Sequence, residues 1–172
     1  MDTDSQHIRI GHSPDPDDAF MFYALTTGVL DTPGREYEHV LLDIQTLNEK
    51  ALNKEYEISA VSIHSFPKII ENYALMNCGA SMGEGYGPML IANQEFTVDE
   101  ARSKTIAIPG LDTSAYLALR LAWGDVNVEV VPFDEILPSV VAGRFDVGLI
   151  IHEGQLTWKD EGVYLIQDMG VW

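Results

Sequence analysis

Along the chain, short unbroken aliphatic runs alternate with longer stretches whose apolar positions fall three and four residues apart. That alternation is the pattern of strands joined by crossover helices, and it predicts an α/β fold with mostly parallel sheets. The predicted strands are Ile8–Gly11, His39–Ile44, Ile58–Ser62, Pro88–Ala92, Thr105–Ile108, Val128–Val131 and Val147–Ile151. Helical patterns lie near Asp17–Thr27, Thr46–Asn53, Ser65–Tyr73, Ser114–Trp123 and Asp134–Ala142. Asp15-Pro16-Asp17-Asp18 is a helix start: Asp15 can cap, Pro16 suits the first turn, and the acids favour its positive end. The pattern breaks once, in the glycine-rich stretch Gly79–Gly87. A strand follows at once, so the expected organisation is two lobes, 1–88 and 89–172, joined by a crossing segment rather than a loose linker.

Composition narrows the classes. The chain has 172 residues, 46% of them hydrophobic, enough for one ordinary domain or two small lobes with a real core. Its net charge of −17 repels phosphate backbones and anionic lipid, so neither nucleic acid nor a membrane surface is an expected partner. No apolar run approaches the roughly 20 residues of a membrane span, and the opening residues carry no signal-like apolar region. Cys78 is the lone cysteine and excludes an internal disulfide. The expected compartment is the cytoplasm.

Several familiar constellations fail on spacing. Gly83-x-Gly85-x-Gly87 precedes a strand where a dinucleotide fingerprint needs a helix. His152-Glu153 opens like a zinc-protease helix, but Leu156 stands where the second histidine belongs. Asp15–Asp18 lacks the glycine and distal glutamate of a calcium loop.

What remains is position. In open α/β sheets, ligands sit beyond the carboxyl ends of the strands. Residues that follow the predicted strands include His12 and Ser13, Asp43, Thr46 and Asn48, Ser62, Asp112-Thr113-Ser114, and His152-Glu153. Most are small hydroxyl, amide or imidazole groups, as expected for a pocket that takes a polar organic molecule. The turn Pro109–Ser114 offers first-turn amides and hydroxyls to a carboxylate, or is an ordinary capped helix in which Thr113 or Ser114 satisfies its own first turn. His152 follows the apolar run Gly148–Ile151 and so emerges at the pocket edge, either as a general base or as a histidine bonded to nearby backbone. His12 is the reserve base, while His7 and His39 are expected at exposed strand ends. Met21, Phe22, Tyr23 and Leu25 are expected to pack in the core.

Ser13-Pro14-x-Pro16-x-Asp18-x-Phe20-x-Phe22-Tyr23-Ala24-Leu25, then Thr46-Leu47-Asn48, then Gly83-x-Gly85-x-Gly87-Pro88 occur in this order. Pro109-Gly110-x-x-Thr113-x-Ala115-Tyr116 and Gly148-Leu149-Ile150-Ile151-His152-Glu153 continue the series. Together they resemble the MqnA/MqnD family of menaquinone biosynthesis, specifically its 1,4-dihydroxy-6-naphthoate synthase branch. The resemblance spans essentially the whole chain.

It implies the two-lobed fold of type II periplasmic binding proteins put to enzymatic use. The implied reaction converts cyclic dehypoxanthinyl futalosine to 1,4-dihydroxy-6-naphthoate without metal or organic cofactor. By motif, His152 falls on the catalytic base. Ser62 with Ala60 and Val61, and Ser114 with Ala115, fall on substrate-contacting segments, and Asn48 on a polar pocket position. Ser13 and Thr113 complete the expected substrate contacts. Asp15 and Asp17 depart from the neutral residues of the family, which moves the expected carboxylate site towards Ser114. The implied fold also returns from its second lobe to complete the first, and that return is expected to be missing here. A homodimer or a separate C-terminal segment would then fill the gap. The alternatives are a chorismate dehydratase of the same family and a non-catalytic carboxylate-binding protein.

Overall fold

The computed structural model describes residues 5–152 and 154–172, and the chain forms two compact units that meet in sequence between Ser81 and Met82. The division falls inside the glycine-rich stretch, slightly before Pro88.

Unit 1 is a three-stranded parallel sheet of order β2-β1-β3, built from β1 (Gln6–His12), β2 (Arg35–Leu41) and β3 (Ile58–Ser59). Helices α1 (Pro16–Thr26), α2 (Ile44–Leu52) and α3 (Phe66–Ile69) follow the strands in turn. The second strand was expected to run to Ile44. It stops earlier because the Asp43 side chain accepts the Thr46 amide at 3.0 Å, which makes Ile44 the first helical residue. α2 buries Leu47, Asn48 and Ala51 against β1. Gly11 permits this: a Cβ there would lie 2.8 Å from both Leu47 and Tyr56.

Three expectations for unit 1 need correction. Asp15 sits at the N-cap of α1 but makes no side-chain cap bond; instead Asp18 accepts the Ser13 amide at 2.7 Å. α1 buries Asp18 alone, leaving Tyr23 exposed and Phe20 86% exposed, so the apolar residues of this helix do not form a core stripe. α3 is a single turn rather than a helix to Tyr73, because only Ile69 finds a buried place and Ile70 faces water.

Unit 2 carries a five-stranded sheet of order β6-β5-β7-β4-β8. Its strands are β4 (Met89–Ala92), β5 (Ile106–Ile108), β6 (Val128–Val130), β7 (Val147–Ile150) and β8 (Tyr164–Asp168). β5 pairs in parallel with β6 and β7, whereas β4 is antiparallel to β7 and β8, with a bulge between Leu90 and Ile91. The edge strand β8 escapes a periodicity reading because it is short and half exposed. Helices α4 (Val98–Arg102), α5 (Ser114–Trp123), α6 (Phe133–Val141) and α7 (Gly154–Thr157) complete the unit.

Two apolar clusters cover the two faces of this sheet. Ile106, Ile108, Val147 and Leu149 join Leu119 and Trp123 of α5. Ala107, Ile91 and Ile150 join Ile136 and Val140 of α6. Burial on both faces is why these strands read as continuous apolar runs. Gly148 lets α6 come close, since a Cβ would lie 2.7 Å from Ile136 and 2.8 Å from Val140. No helix among the described residues is long and apolar enough to cross a membrane.

Candidate active site

In unit 1 the expected residues gather where β1 and β3 end. The backbone of Ser13 is held from both sides: its amide donates to Asp18, and its carbonyl lies 2.9 Å from His12 Nδ1. Its hydroxyl accepts the Asp15 amide at 3.0 Å. Beyond β3 the Ala60 amide still donates to the Gly11 carbonyl at 2.8 Å, and then Ala60 and Val61 lead away from the sheet. That departure ends the strand at Ser59 and delivers Ser62 to Asn48. Asn48, fully buried on α2, donates through Nδ2 to the Ser62 hydroxyl at 3.0 Å and accepts the Ser62 amide at 2.8 Å. A buried amide needs such pairing, and the two bonds hold the segment 60–62 in place.

His12 and His39 form a second polar cluster in this unit. His12 is 3% exposed and stacked on Phe22 at 4.3 Å between ring centroids. The Ser13 carbonyl can only accept, so His12 Nδ1 carries the proton, and Nε2 accepts from His39 Nδ1 at 3.0 Å. His39 Nε2 is left as a buried lone pair with no partner among the described residues. His39 was expected at an exposed end. Instead, burial, and after it the neighbouring His12, hold its pKa below the usual histidine value. Asp18 moves the other way: burial raises it, against the opposing bond from the Ser13 amide.

In unit 2 the carboxyl ends of the adjacent parallel strands β5 and β7 carry the remaining groups. After β5 comes the turn into α5. The Thr113 hydroxyl donates to the Gly110 carbonyl at 2.8 Å and accepts the Tyr116 amide at 3.2 Å, so it caps the helix. Ser114 and Ala115 are the next two residues, and their first-turn amides have no intrahelical acceptor. They are therefore the better placed anion donors.

After β7 comes His152, with φ 55°. Non-glycine residues avoid this left-handed region unless the surroundings enforce it. Lys54 is the other described case, but it follows the C-cap of α2, where such a residue ordinarily ends a helix. His152 has no such reason. It lies two residues beyond a buried strand, and the Phe133 ring meets it in a T-shaped contact at 5.3 Å. Glu153 lies outside the described residues. Phe133 and Gln155 had escaped the sequence reading. Phe133 would have emerged from the same logic applied to the sixth strand, which ends just before Pro132-Phe133. Among the described residues no three histidine, cysteine or carboxylate side chains form a metal-binding group.

Two small α/β units with polar residues at the carboxyl ends of parallel strands define a periplasmic-binding-protein-like architecture. The alkanesulfonate-binding protein SsuA of Xanthomonas axonopodis, solved with MOPS bound, superposes with a TM-score of 0.73 at 15% identity, over 94% of this chain and 60% of that one; this speaks for fold alone. The chain belongs to the menaquinone biosynthesis family, whose sequence model matches residues 8–172. It is 37% identical over 166 residues to a 1,4-dihydroxy-6-naphthoate synthase of Thermus thermophilus, covering 96% of this chain and 60% of that one. The corresponding Streptomyces coelicolor enzyme is 34% identical over 170 residues, covering 95% and 59%. A crystal structure of an Archaeoglobus fulgidus protein superposes with a TM-score of 0.90 at 46% identity, over 96% of this chain and 61% of that one. The chain thus spans about 60% of the length of the curated relatives it matches.

Proposed function

We propose that this chain carries the active-site residues of a 1,4-dihydroxy-6-naphthoate synthase, acting on cyclic dehypoxanthinyl futalosine in the cytoplasm. The observation that carries the reading is the agreement with two relatives of that name along almost the whole chain. His152 is the general base. It takes a proton from the sugar-derived part of the substrate, and the electron pair left behind drives elimination or a retro-aldol-like cleavage. Aromatisation to the naphthoate pulls the reaction forward. Ser13, Asn48 and the segment Ala60-Val61-Ser62, with Thr113, Ser114 and Ala115, are the substrate-binding residues, and the substrate's carboxylate lies at the start of α5. Thr113 acts there by shaping the turn.

Turnover of cyclic dehypoxanthinyl futalosine tests the reading directly. Consumption of chorismate instead would assign the dehydratase activity, and ligand binding without turnover would assign a binding protein. The carboxylate position has its own test in Ser114. Its replacement by Ala removes one hydrogen bond, worth about 0.5–1.5 kcal/mol, whereas Asp sets a like charge beside the bound acid and should weaken binding much more. Equal losses would place the acid elsewhere.

We also propose that unit 1 takes a covering polypeptide, either a second copy or a complementing C-terminal segment. The exposed Phe20, Tyr23, Val29 and Leu30 support this, because large apolar side chains left in water favour a covering partner. Sedimentation of the parent and of Phe20→Ser should show self-association, or binding of an added C-terminal segment, that the variant weakens.

A further inference from the structure

His152 adopts a backbone conformation that its residue type disfavours, so the groups around it must hold it there. Two contacts do so. Phe133 is the first residue of α6, and its ring meets the imidazole at an interplanar angle of 66°. α6 is itself fixed on β7 through Gly148. Gln155 donates its backbone amide to the His152 carbonyl at 3.0 Å and its side-chain Nε2 to the Gly87 carbonyl at 2.5 Å.

Gly87 is a firm anchor. Its amide donates to the Asp168 carboxylate at 2.9 Å, and the Gly170 amide donates to the same oxygen at 2.8 Å. The Met169 amide donates to the Pro88 carbonyl at 2.8 Å. A Cβ on Gly170 would lie 2.1 Å from the Tyr86 backbone, so the two segments run in direct backbone contact. The turn that presents His152 is therefore tied to α6 through a ring and to a doubly bonded backbone crossing through an amide.

We propose that Phe133 and Gln155 are positioning residues for His152: Phe133 fixes the rotation of the imidazole, and Gln155 fixes the turn that aims it. The inference rests on the reading of His152 as the base. An imidazole turning about its Cβ–Cγ bond has a broad rotational well, and a contact on one ring face selects the part of it that faces the substrate. Misplacement of a reacting group by about 1 Å costs on the order of a hundredfold in rate, so partial release should cost less.

The test uses Phe133→Leu, Phe133→Tyr, Gln155→Met and the parent. In Phe133→Leu and Gln155→Met, kcat on cyclic dehypoxanthinyl futalosine should fall about tenfold while KM stays within about twofold, and Phe133→Tyr should retain the parent kcat. A second readout needs no activity. Imidazole nitrogen–proton correlation spectra, with the His152 signals identified by their loss in His152→Asn, should show one sharp set in the parent. They should be doubled or broadened in Phe133→Leu and Gln155→Met. If the parent fails to turn over, the functional reading falls, and the ring signals still decide the positioning. Sharp, unchanged His152 signals in both variants overturn the proposal, as does a rise in KM with kcat intact.

Discussion

Among the described residues, unit 2 buries nineteen apolar side chains and, of polar ones, Thr113 and Ser139. Unit 1 buries five apolar side chains, Ile10, Leu47, Ala51, Tyr56 and Ile69, against seven polar ones: His12, Ser13, Asp15, Asp18, Asn48, Ser62 and Ser65. Apolar burial is non-directional and tolerates small displacements, whereas a buried polar group stabilises only while its partner stays in place. Unit 2 is thus an apolar scaffold, and the proposed base, His152, follows one of its buried strands. Unit 1 is a small sheet with helices whose buried interior is mostly hydrogen-bonded polar groups, so its order depends more on individual atoms. The glycine-rich stretch marks where one way of building gives over to the other.

The largest effect should come from the proposed base beside the unit 2 sheet. His152→Asn should lower turnover by about 10²–10⁴, the usual loss with a general base, while product binding stays within about tenfold. Asparagine tolerates positive φ better than most residues, so the turn should survive and the loss should report the base itself. Near-parental turnover would move the role to His12 and end the assignment of catalysis to unit 2.

Next in size is the scaffold. Leu149→Ala, at the centre of one apolar cluster, should destabilise unit 2 by about 2–5 kcal/mol. Hydrogen exchange should find the slowest amides in β5 and β7 and faster exchange in β1 and β3. Equal protection of the two sheets would remove the contrast.

The polar unit should respond to the loss of single atoms. Asn48→Ala strands the Ser62 amide and hydroxyl in a buried place and should cost about 1–3 kcal/mol, read as faster exchange confined to unit 1. Spread of the effect into β5 and β7 would show that the two cores are one.

The smallest effect is that of pH. His39 has a folded-state pKa below its ordinary value, so the unfolded chain takes up the proton first as pH falls. The His39 contribution is therefore fully present above its ordinary pKa, about 6.5, and declines below it, by no more than about 1.4 kcal/mol per pH unit for a single proton. Protection in β1 and β2, taken relative to the intrinsic exchange rate at each pH, should fall between about pH 7.5 and 5.5, and His39→Leu should flatten the response. Glu57 lies further down, its pKa held at about 2 by the Arg9 guanidinium and by the Arg9 amide at 2.8 Å. Its contribution is present above the ordinary glutamate range, is lost as pH falls through about 2, and is reduced by solvent because the pair is exposed.

Much of this was written in the order of the residues. The apolar runs at Ile106–Ile108 and Val147–Ile150 are both strands because each lies buried on two faces, which leaves periodicity nothing to contradict. Thr113 is a cap, as one of the two residues its turn offered, whereas Asp43 was read into a strand and proves to be the cap of α2. The strand-end rule placed Ser13, Ser62, Ser114 and His152 at the carboxyl ends of their strands without any coordinates. The rule works because a parallel sheet sends all its outgoing loops to one edge.

Other features needed the tertiary structure. Tyr23 reads as a core residue, yet it lies exposed on α1, whose one buried residue is the polar Asp18. The pairing of His12 with His39 joins residues on two strands whose register, Ile10 opposite His39, no local pattern encodes. The same holds for Asn48 with Ser62 and for Phe133 with His152. Local sequence determined the elements, their caps and the loops that carry chemistry, since propensity and periodicity act over a few residues. Only the folded chain decided which of those groups meet, because contact between distant residues depends on strand register and helix packing, which the whole sheet sets together.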